Sequence, residues 1–219
     1  RWSSIQDALH SFTISGTIIL DCNKDLFVPN DMKDFMMLVA RADWNHYIYA
    51  EIITKYTNIH CTSLSNNQVF KSSCTVSKPS SRKKIKQSLV TFYDKISSFF
   101  ARDTDALFIG TYLSRINEIM LSLSMNQFPR LIRRAPIIKI LVDDSQRKWK
   151  LFGEENQTEF EECVRNLIPQ QIPASYMEGF SNLTEQVSTL AWPSRPKVIF
   201  TSNNYSTDDL FKVYVAEKT

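Results

Sequence analysis

The sequence predicts an α/β fold, with a mainly parallel sheet and helices that flank it. Three short apolar segments favour this class, and stretches with helical spacing separate them along the 219 residues. Each segment is apolar at consecutive positions, which is typical of strands buried on both faces of a parallel sheet. The three are Thr17–Leu20 (TIIL), Asp105–Gly110 (DALFIG) and Lys197–Ser202 (KVIFTS). Residues 59–62 predict a further strand, and residues 136–141 a strand or an extended edge segment.

The remaining regular elements are predicted helices, because apolar side chains recur in them every three or four residues. Asn30–Asp31 is a start signal with acidic residues in the following turn, and Ser114 is a good N-cap residue. Pro129 stops the helix that Ser114 begins. A last helix begins near Ser206 or Thr207, either of which can cap it. The other predicted helices cover residues 1–12, 31–39, 42–56, 89–100, 115–127, 159–167 and 175–190.

Composition places the chain among globular proteins, and residues 1–219 are predicted to form a single α/β domain. Hydrophobic residues make up 43% of the chain and charged residues 22%, so it can bury a sizeable core. The net charge of +3 gives no general reason to expect nucleic-acid binding. Residues 63–88 predict a basic polar loop, either a solvated surface or one that attracts an anionic membrane surface or an acceptor glycan. Arg130, Arg133 and Arg134 predict a solvated helix end, with phosphate binding as the alternative.

The sequence lacks the motifs of several common enzyme classes. With four glycines in all, it contains no GxGxxG or GxxxxGK loop, and it has no GxSxG elbow or HExxH motif. Its four cysteines form no CxxC pair, which predicts reduced thiols and a cytoplasmic location. His60–Cys61 with Cys74 is an incomplete ligand set, so no metal is predicted. No run of about 18 apolar residues predicts a membrane span.

Polar loops follow the predicted strands, where ligands bind in open parallel sheets. One loop spans residues 21–25, a second is Gly110-Thr111-Tyr112, and the third is the stretch 202–209. The third predicts a substrate-binding cradle in which hydroxyl and amide groups meet a sugar or a phosphate. The alternative is turn and cap chemistry, since Asn tolerates a left-handed backbone and Asp suits a first helical turn. The residues predicted to bind substrate here are Thr111, Ser202, Asn203, Asn204 and Asp208.

The helix at 42–56 carries a second candidate group, Asp43-Trp44-Asn45-His46-Tyr47. An acid, an amide and an imidazole between two aromatic rings are the side chains that sugar sites combine. Asn45 is predicted to bind substrate, and Asp43 or His46 to act as the catalytic base, because an imidazole titrates near neutrality. The alternative is structural, since Asp43 and His46 lie three residues apart on one helix face and can bond locally.

Four stretches resemble a family of bacterial transferases encoded in O-antigen and other surface-polysaccharide gene clusters. They are RWSSIQDAL (1–9), ADWNHYIYAEII (42–53), FIGTYLS (108–114) and RPKVIFTSNNYSTDDLFKVYVAEKT (195–219). The resemblance implies a longer protein: a segment before Arg1, then a Gln-His-Gly motif and a second α/β domain after residue 219. This chain would then be a fragment, consistent with a sequence that begins without Met and stops within a predicted helix.

The resemblance also implies a function, a two-domain glycosyltransferase of GT-B type whose Rossmann-like N-terminal half is this chain. Such an enzyme transfers a sugar from a nucleotide sugar, with a CMP-linked nonulosonic acid as one candidate donor, and needs no metal or other cofactor. The implied acceptor is a glycan or a lipid-linked substrate, with peripheral contact at the inner membrane. Two alternatives stay open: a non-catalytic α/β module that scaffolds polysaccharide assembly, and a different nucleotide-dependent transferase acting on a lipid-linked substrate.

Overall fold

The structure is a computed structural model, and its described residues form two compact units. One unit comprises residues 1–72 and 139–180, and the other residues 73–138 and 181–219. The prediction of one α/β domain, with another beyond residue 219, stays a prediction. Several predictions fall outside the described residues. They concern most of the basic loop at 63–88, most of the helix at 89–100, and Cys74, Arg133 and Arg134. The described residues are 1–65, 93, 96–97, 99–130, 132, 135–153 and 158–218.

The first unit is built on a parallel pair of strands, β1 (Gly16–Asp21) and β2 (His60–Ser65). The register runs from Gly16 opposite His60 to Asp21 opposite Ser65, which confirms both predicted strands and their parallel direction. Parallel neighbours need a crossover, and helices supply it between these two strands. The helices of this unit are α1 (Trp2–Ser11), α2 (Met32–Leu38), α3 (Ala42–Tyr56), α5 (Glu159–Gln171) and α6 (Ala174–Met177), and short 3₁₀ helices span Lys24–Phe27 and Asp144–Arg147.

The core of the first unit forms around one face of α3. Trp44, Ile48 and Ile52 recur at spacings of four and are buried, as the helical periodicity predicts. Phe27 stacks on Tyr47 with the ring centroids 4.9 Å apart, and Cys163 of α5 joins the same cluster. The predicted start at Asn30–Asp31 is confirmed, because the Asp31 side chain accepts the amide of Asp34 and α2 begins one residue later.

The second unit contains another parallel pair, β3 (Leu107–Phe108) and β4 (Ile199–Phe200). Its helices are α4 (Arg115–Ser124), α7 (Phe180–Thr189), α8 (Asn204–Thr207) and α9 (Asp209–Lys218). Ser114 caps α4 as predicted, since its side chain accepts the amide of Asn117. Leu107, Leu210 and Phe211 are fully buried, and Trp192 packs edge-on against Tyr214 with a centroid distance of 4.9 Å.

The structure differs from the predicted architecture in several places, and one is the end of α4, which lies at Ser124, five residues before the predicted stop at Pro129. The predicted sheet is not continuous: within the described residues the strands form two separate two-stranded sheets. The predicted helix at 175–190 is broken at Gly179, where a Cβ atom would lie 2.6 Å from the side chain of Ile140. Residues 136–141 form no strand, because the amides of Ile138 and Ile140 donate to side-chain oxygens of Gln186 and Asn30 instead of to a neighbouring strand.

Candidate functional site

The loops that follow β3 and β4 lie side by side, as expected for neighbouring parallel strands. The amide of Ile109 donates to the carbonyl of Phe200 at 3.1 Å, and the amide of Ser202 to that of Gly110 at 3.4 Å. Because the two strands run in the same direction, both loops leave the sheet at its carboxyl end. This arrangement brings Thr111 into the same region as Ser202, Asn203 and Asn204, a convergence that the sequence alone could not show.

Gly110 allows these two loops to approach each other closely. Its φ angle is +57°, a left-handed value that favours glycine. A Cβ atom at this position would lie 2.0 Å from Oδ1 of Asn204, which is far inside van der Waals contact. Asn204 is fully buried and fills the space above the glycine. Asn204 therefore packs against the β3 loop, in addition to the turn role that the sequence predicts for it.

Asn204 and Asp208 use their side chains inside the protein. The Asn204 amide donates to Oδ2 of Asp208 at 3.2 Å, and Oδ1 of Asp208 accepts the amide of Phe211 at 3.0 Å. Asp208 is only 5% exposed and immediately precedes α9, so it is the N-cap of that helix. The prediction that Ser206 or Thr207 caps this helix is wrong by one or two residues. The interruption between Thr207 and Asp209, which separates α8 from α9, places Asp208 at the cap position.

Replacing Asp208 by alanine is expected to lower the free energy of unfolding by about 0.5–2 kcal/mol, the usual effect of removing an N-cap acceptor. Asp208→Asn keeps an oxygen acceptor for Phe211 and is expected to retain most of the stability. Urea denaturation monitored by circular dichroism measures both variants. Equal losses for alanine and asparagine would show that the charge of Asp208, and not its capping oxygen, stabilises α9.

Ser202 and Asn203 form an exposed polar rim together with Tyr112. The hydroxyl of Ser202 accepts the amide of Tyr112 at 3.3 Å, and the side-chain amide of Asn203 donates to the Tyr112 hydroxyl at 3.0 Å. Tyr112 is 81% exposed, so the rim combines hydroxyl and amide groups with an accessible aromatic ring. Tyr112 lies in the predicted ligand loop 110–112 but was not among the residues predicted to bind substrate. Its position directly after Gly110-Thr111 was the only signal, and nothing local showed that it would meet Asn203, 91 residues away.

A cavity of about 240 Å³ lies beside the β3 loop in the second unit. Thr111 connects the loop to this cavity, because its hydroxyl donates to the carboxylate of Glu118, which lines the wall. The lining combines two guanidinium groups, one carboxylate and two aromatic rings with smaller groups. These residues are Tyr93, Phe108, Arg115, Glu118, Ile119, Ser122, Pro129 and Arg130. Of them, the sequence singled out only Arg130 as a phosphate candidate, because the cavity depends on packing between separate segments.

His46 lies in the first unit, where it supports the edge of β1. Its Nε2 atom accepts the backbone amide of Leu20 at 3.0 Å. Since Nε2 provides a lone pair to this amide, the proton of the neutral ring lies on Nδ1. The hydrogen bond explains why a half-buried imidazole occurs on this face of α3. A catalytic role for His46 stays a prediction, and such a role would need a ligand that breaks or replaces this bond.

Asp43 and Asn45 order the beginning of α3. Arg41 binds the buried Asp43 carboxylate through two nitrogens, one of them at 2.9 Å, and Asp43 also accepts the amide of Trp44. The hydrogen bond from Arg41 lowers the pKa of Asp43 below its usual value, despite the opposing effect of burial. Asn45 donates to the carbonyl of Arg41 and accepts from Arg1. A catalytic carboxylate base works best with a pKa raised toward neutrality, whereas the pKa of Asp43 is lowered. This environment therefore favours a structural role for Asp43.

The loop at 21–25, also a predicted ligand position, folds into local turn structure. The side-chain oxygen of Asn23 accepts the amide of Asp25 at 3.0 Å and caps the 3₁₀ helix Lys24–Phe27. Burial raises the pKa of the thiols of Cys22 and Cys163 above the usual value. Across the part of the chain that the structure describes, no group of three or more potential ligand residues is arranged to hold a metal ion. Within the same residues, no helix combines the length and apolarity that a membrane span requires.

Comparison with known proteins identifies one family. The model of the LIC12162 family transferase matches residues 1–219, which is the whole sequence. Searches among curated proteins and among solved structures return no match.

Proposed function

This chain belongs to the LIC12162 family of transferases, and we propose that it is a glycosyltransferase of bacterial surface-polysaccharide assembly. In this proposal it transfers a sugar from a nucleotide sugar to a glycan or lipid-linked acceptor. Membership in a transferase family supports the reaction class. The resemblance of four of its stretches to transferases of O-antigen clusters supports the choice of sugar as the transferred group. A Rossmann-like GT-B architecture is part of the same proposal.

The observation that carries the proposal is the exposed rim formed by Ser202, Asn203 and Tyr112 at the carboxyl end of β3 and β4. A sugar presents hydroxyl groups around a ring whose faces carry C–H bonds. The rim offers the matching chemistry, since Ser and Asn bind hydroxyls and the ring of Tyr112 is 81% exposed for stacking. Parallel sheets bind ligands at this end, so the position supports the same conclusion.

Each predicted site residue has a role in this proposal. Ser202 and Asn203 bind sugar hydroxyls, while Thr111 acts through its bond to Glu118. Asn204 and Asp208 position the rim, because their side chains are buried and bonded to each other. The remaining predicted residues lie in the first unit. There, Asp43 or His46 would serve as base for an acceptor hydroxyl, with Asn45 beside them.

The proposal includes no cofactor, because the family resemblance implies a metal-independent reaction with the nucleotide sugar as a substrate. A CMP-sugar is one candidate donor. The cytoplasm is the proposed location, with peripheral contact at the inner membrane as part of the proposal for a lipid-linked acceptor. A nucleotide-dependent transferase that moves another group onto a lipid-linked substrate would share these partners.

A non-catalytic module that scaffolds polysaccharide assembly is the second candidate. The internal bonds of Asp43 and His46 favour it, since both carboxylate oxygens of Asp43 and the Nε2 atom of His46 already accept hydrogen bonds from the protein. Such a module would bind a glycan through the same rim and would not turn over any nucleotide sugar. Binding without turnover in the intact protein therefore separates the two functions.

Replacing Asn203 by alanine is expected to lower sugar transfer about tenfold, because it removes a hydrogen bond to the sugar and the partner of the Tyr112 hydroxyl. Asn203 is exposed, so the variant is expected to fold normally. The assay incubates the intact protein with a panel of nucleotide sugars and oligosaccharide or lipid-linked acceptors. Asn182→Ala, which removes an exposed amide from α7, is the control and is expected to keep full activity. An unchanged rate for Asn203→Ala would remove the rim from the site.

A further inference from the structure

The cavity beside the β3 loop has the composition of a ligand site. Its volume of about 240 Å³ lies just below the roughly 300–1,000 Å³ of sites for drug-sized ligands. A single sugar ring or one mononucleotide matches this volume. Ligand sites combine apolar walls with a few convergent polar groups, and this cavity pairs Phe108 and Tyr93 with charged side chains.

The charged side chains favour an occupant that carries a negative charge. Arg115 and Arg130 contribute two guanidinium groups and Glu118 one carboxylate, so the lining has a net charge of +1 in its side chains. Arg130 is oriented by a hydrogen bond to the carbonyl of Ala191. Guanidinium groups bind carboxylate and phosphate oxygens through two parallel hydrogen bonds, which gives them geometric specificity for such anions.

Glu118 supplies the complementary preference for hydroxyl groups. It lies on the same face of α4 as Arg115, three residues further along the helix. Its carboxylate accepts the hydroxyl of Thr111, and a carboxylate has about four acceptor positions, so it can also accept hydroxyls of a bound ring. This bond also ties the cavity wall to the β3 loop, beside the rim of Ser202, Asn203 and Tyr112.

The geometry points to this cavity as a binding site for one hydroxylated ring that bears an anionic group, a phosphate or a carboxylate. The two guanidinium groups hold the anion, Glu118 accepts ring hydroxyls, and the aromatic walls cover the ring. The inference rests on the proposed glycosyl transfer for its ligand class, since an acidic sugar, a sugar phosphate and a nucleotide all share this chemistry.

The test measures binding of three anionic probes to the intact protein by calorimetry: glucuronate, glucose 1-phosphate and cytidine monophosphate. Glucose and cytidine are the neutral counterparts. At least one anionic probe is expected to bind at least tenfold more tightly than its neutral counterpart. The probe that binds most tightly shows whether the cavity takes an acidic sugar, a sugar phosphate or a nucleotide. Arg115→Gln is expected to raise that Kd about 10- to 100-fold, because a charge-assisted hydrogen bond is lost. Arg115 is exposed, so this variant is expected to fold.

Arg195→Gln is the matched control, since it removes an exposed arginine of the same unit that does not line the cavity. The inference is overturned if no anionic probe binds, if neutral probes bind equally well, or if Arg115→Gln and Arg195→Gln have the same effect. Sugar transfer is assayed on the same preparations. If the protein transfers sugar but Arg115→Gln does not weaken binding of the anionic probe, the cavity inference alone is contradicted. If an anionic probe binds specifically but no donor supports sugar transfer, the proposed function alone is contradicted.

Discussion

Replacing Arg147 by methionine is expected to lower the free energy of unfolding by about 3–5 kcal/mol. Arg147 and Glu178 form an ion pair whose side chains are both only 4% exposed. Two parallel hydrogen bonds of 2.6 and 2.7 Å join them. The variant would leave the carboxylate of Glu178 buried without its partner, and a buried unpaired charge is costly.

The same guanidinium group also completes the end of α5. Its Nη1 atom donates to the carbonyls of Pro169 and Ile172 at 2.8 and 2.9 Å. The last carbonyls of a helix have no partner within the helix, so Arg147 satisfies groups that would otherwise be buried and unpaired. The methionine variant therefore loses these bonds as well, and Glu178→Gln, which keeps Arg147 in place, is expected to cost less than Arg147→Met.

Guanidinium chloride denaturation of Arg147→Met, Glu178→Gln, Glu178→Met and Arg147→Met/Glu178→Met measures this effect, and the two single methionine variants form the cycle with the double variant. The double variant is expected to be more stable than the sum of the single losses predicts, because it leaves no unpaired charge. Lys24→Met is the control, since it breaks an ion pair to Glu51 in which Lys24 is 61% exposed. That control is expected to change stability by less than about 1 kcal/mol. A loss below about 1 kcal/mol for Arg147→Met would contradict the prediction.

Replacing Gly110 by alanine is expected to lower the free energy of unfolding by about 2–5 kcal/mol. A left-handed backbone costs an L-residue about 1–2 kcal/mol, and overpacking a filled space adds about 1–3 kcal/mol. The φ angle of +57° and the 2.0 Å approach of Oδ1 of Asn204 supply both causes. Any structure that relieves the contact displaces the loop of Ser202 and Asn203, so sugar transfer is expected to fall together with stability.

A second substitution, at Asn204, tests whether the packing contact causes the loss of stability in Gly110→Ala. The double variant Gly110→Ala/Asn204→Ala removes the group that the new methyl would strike, so it is expected to recover about 1 kcal/mol or more relative to additivity. Gly16→Ala is the control, because its φ is not left-handed and the nearest atom would be the carbonyl oxygen of His60 at 3.2 Å. We expect it to change stability by less than about 1 kcal/mol. Equal losses at both glycines would contradict the packing explanation.

Several features of the fold could be predicted because their causes are local in the chain. The helix at 42–56 was predicted with its observed bounds, since Trp44, Ile48 and Ile52 recur with the period that one buried face requires. Asn30–Asp31 was predicted as a helix start and Ser114 as a cap, and both signals are local because the amides that Asp31 and Ser114 cap lie three residues away. The cap of α9 was misplaced, because the choice between Thr207 and Asp208 depends on where the preceding helix ends.

The candidate site was predicted only in part. The rule that ligands bind at the carboxyl ends of parallel strands led to Thr111, Ser202 and Asn203, which the structure brings together. The same rule did not distinguish exposed from buried groups, so Asn204 and Asp208 were grouped with the rim although their side chains are buried. Arg115 and Glu118 were missed as site residues, and Tyr112 was placed in a ligand loop without a binding role, because helix periodicity and turn chemistry account for each of them locally.

The sequence by itself determined the alternation of strands and helices, the helix starts at Asp31 and Ser114, and membership in a transferase family over residues 1–219. These features depend on side chains a few positions apart or on a pattern spread along the whole chain. Only the tertiary structure decided that Arg147 pairs with Glu178, that Asn204 rests on Gly110, and that one cavity joins two arginines to Glu118. Such contacts join residues far apart in sequence, and their strength depends on burial, which local composition does not specify.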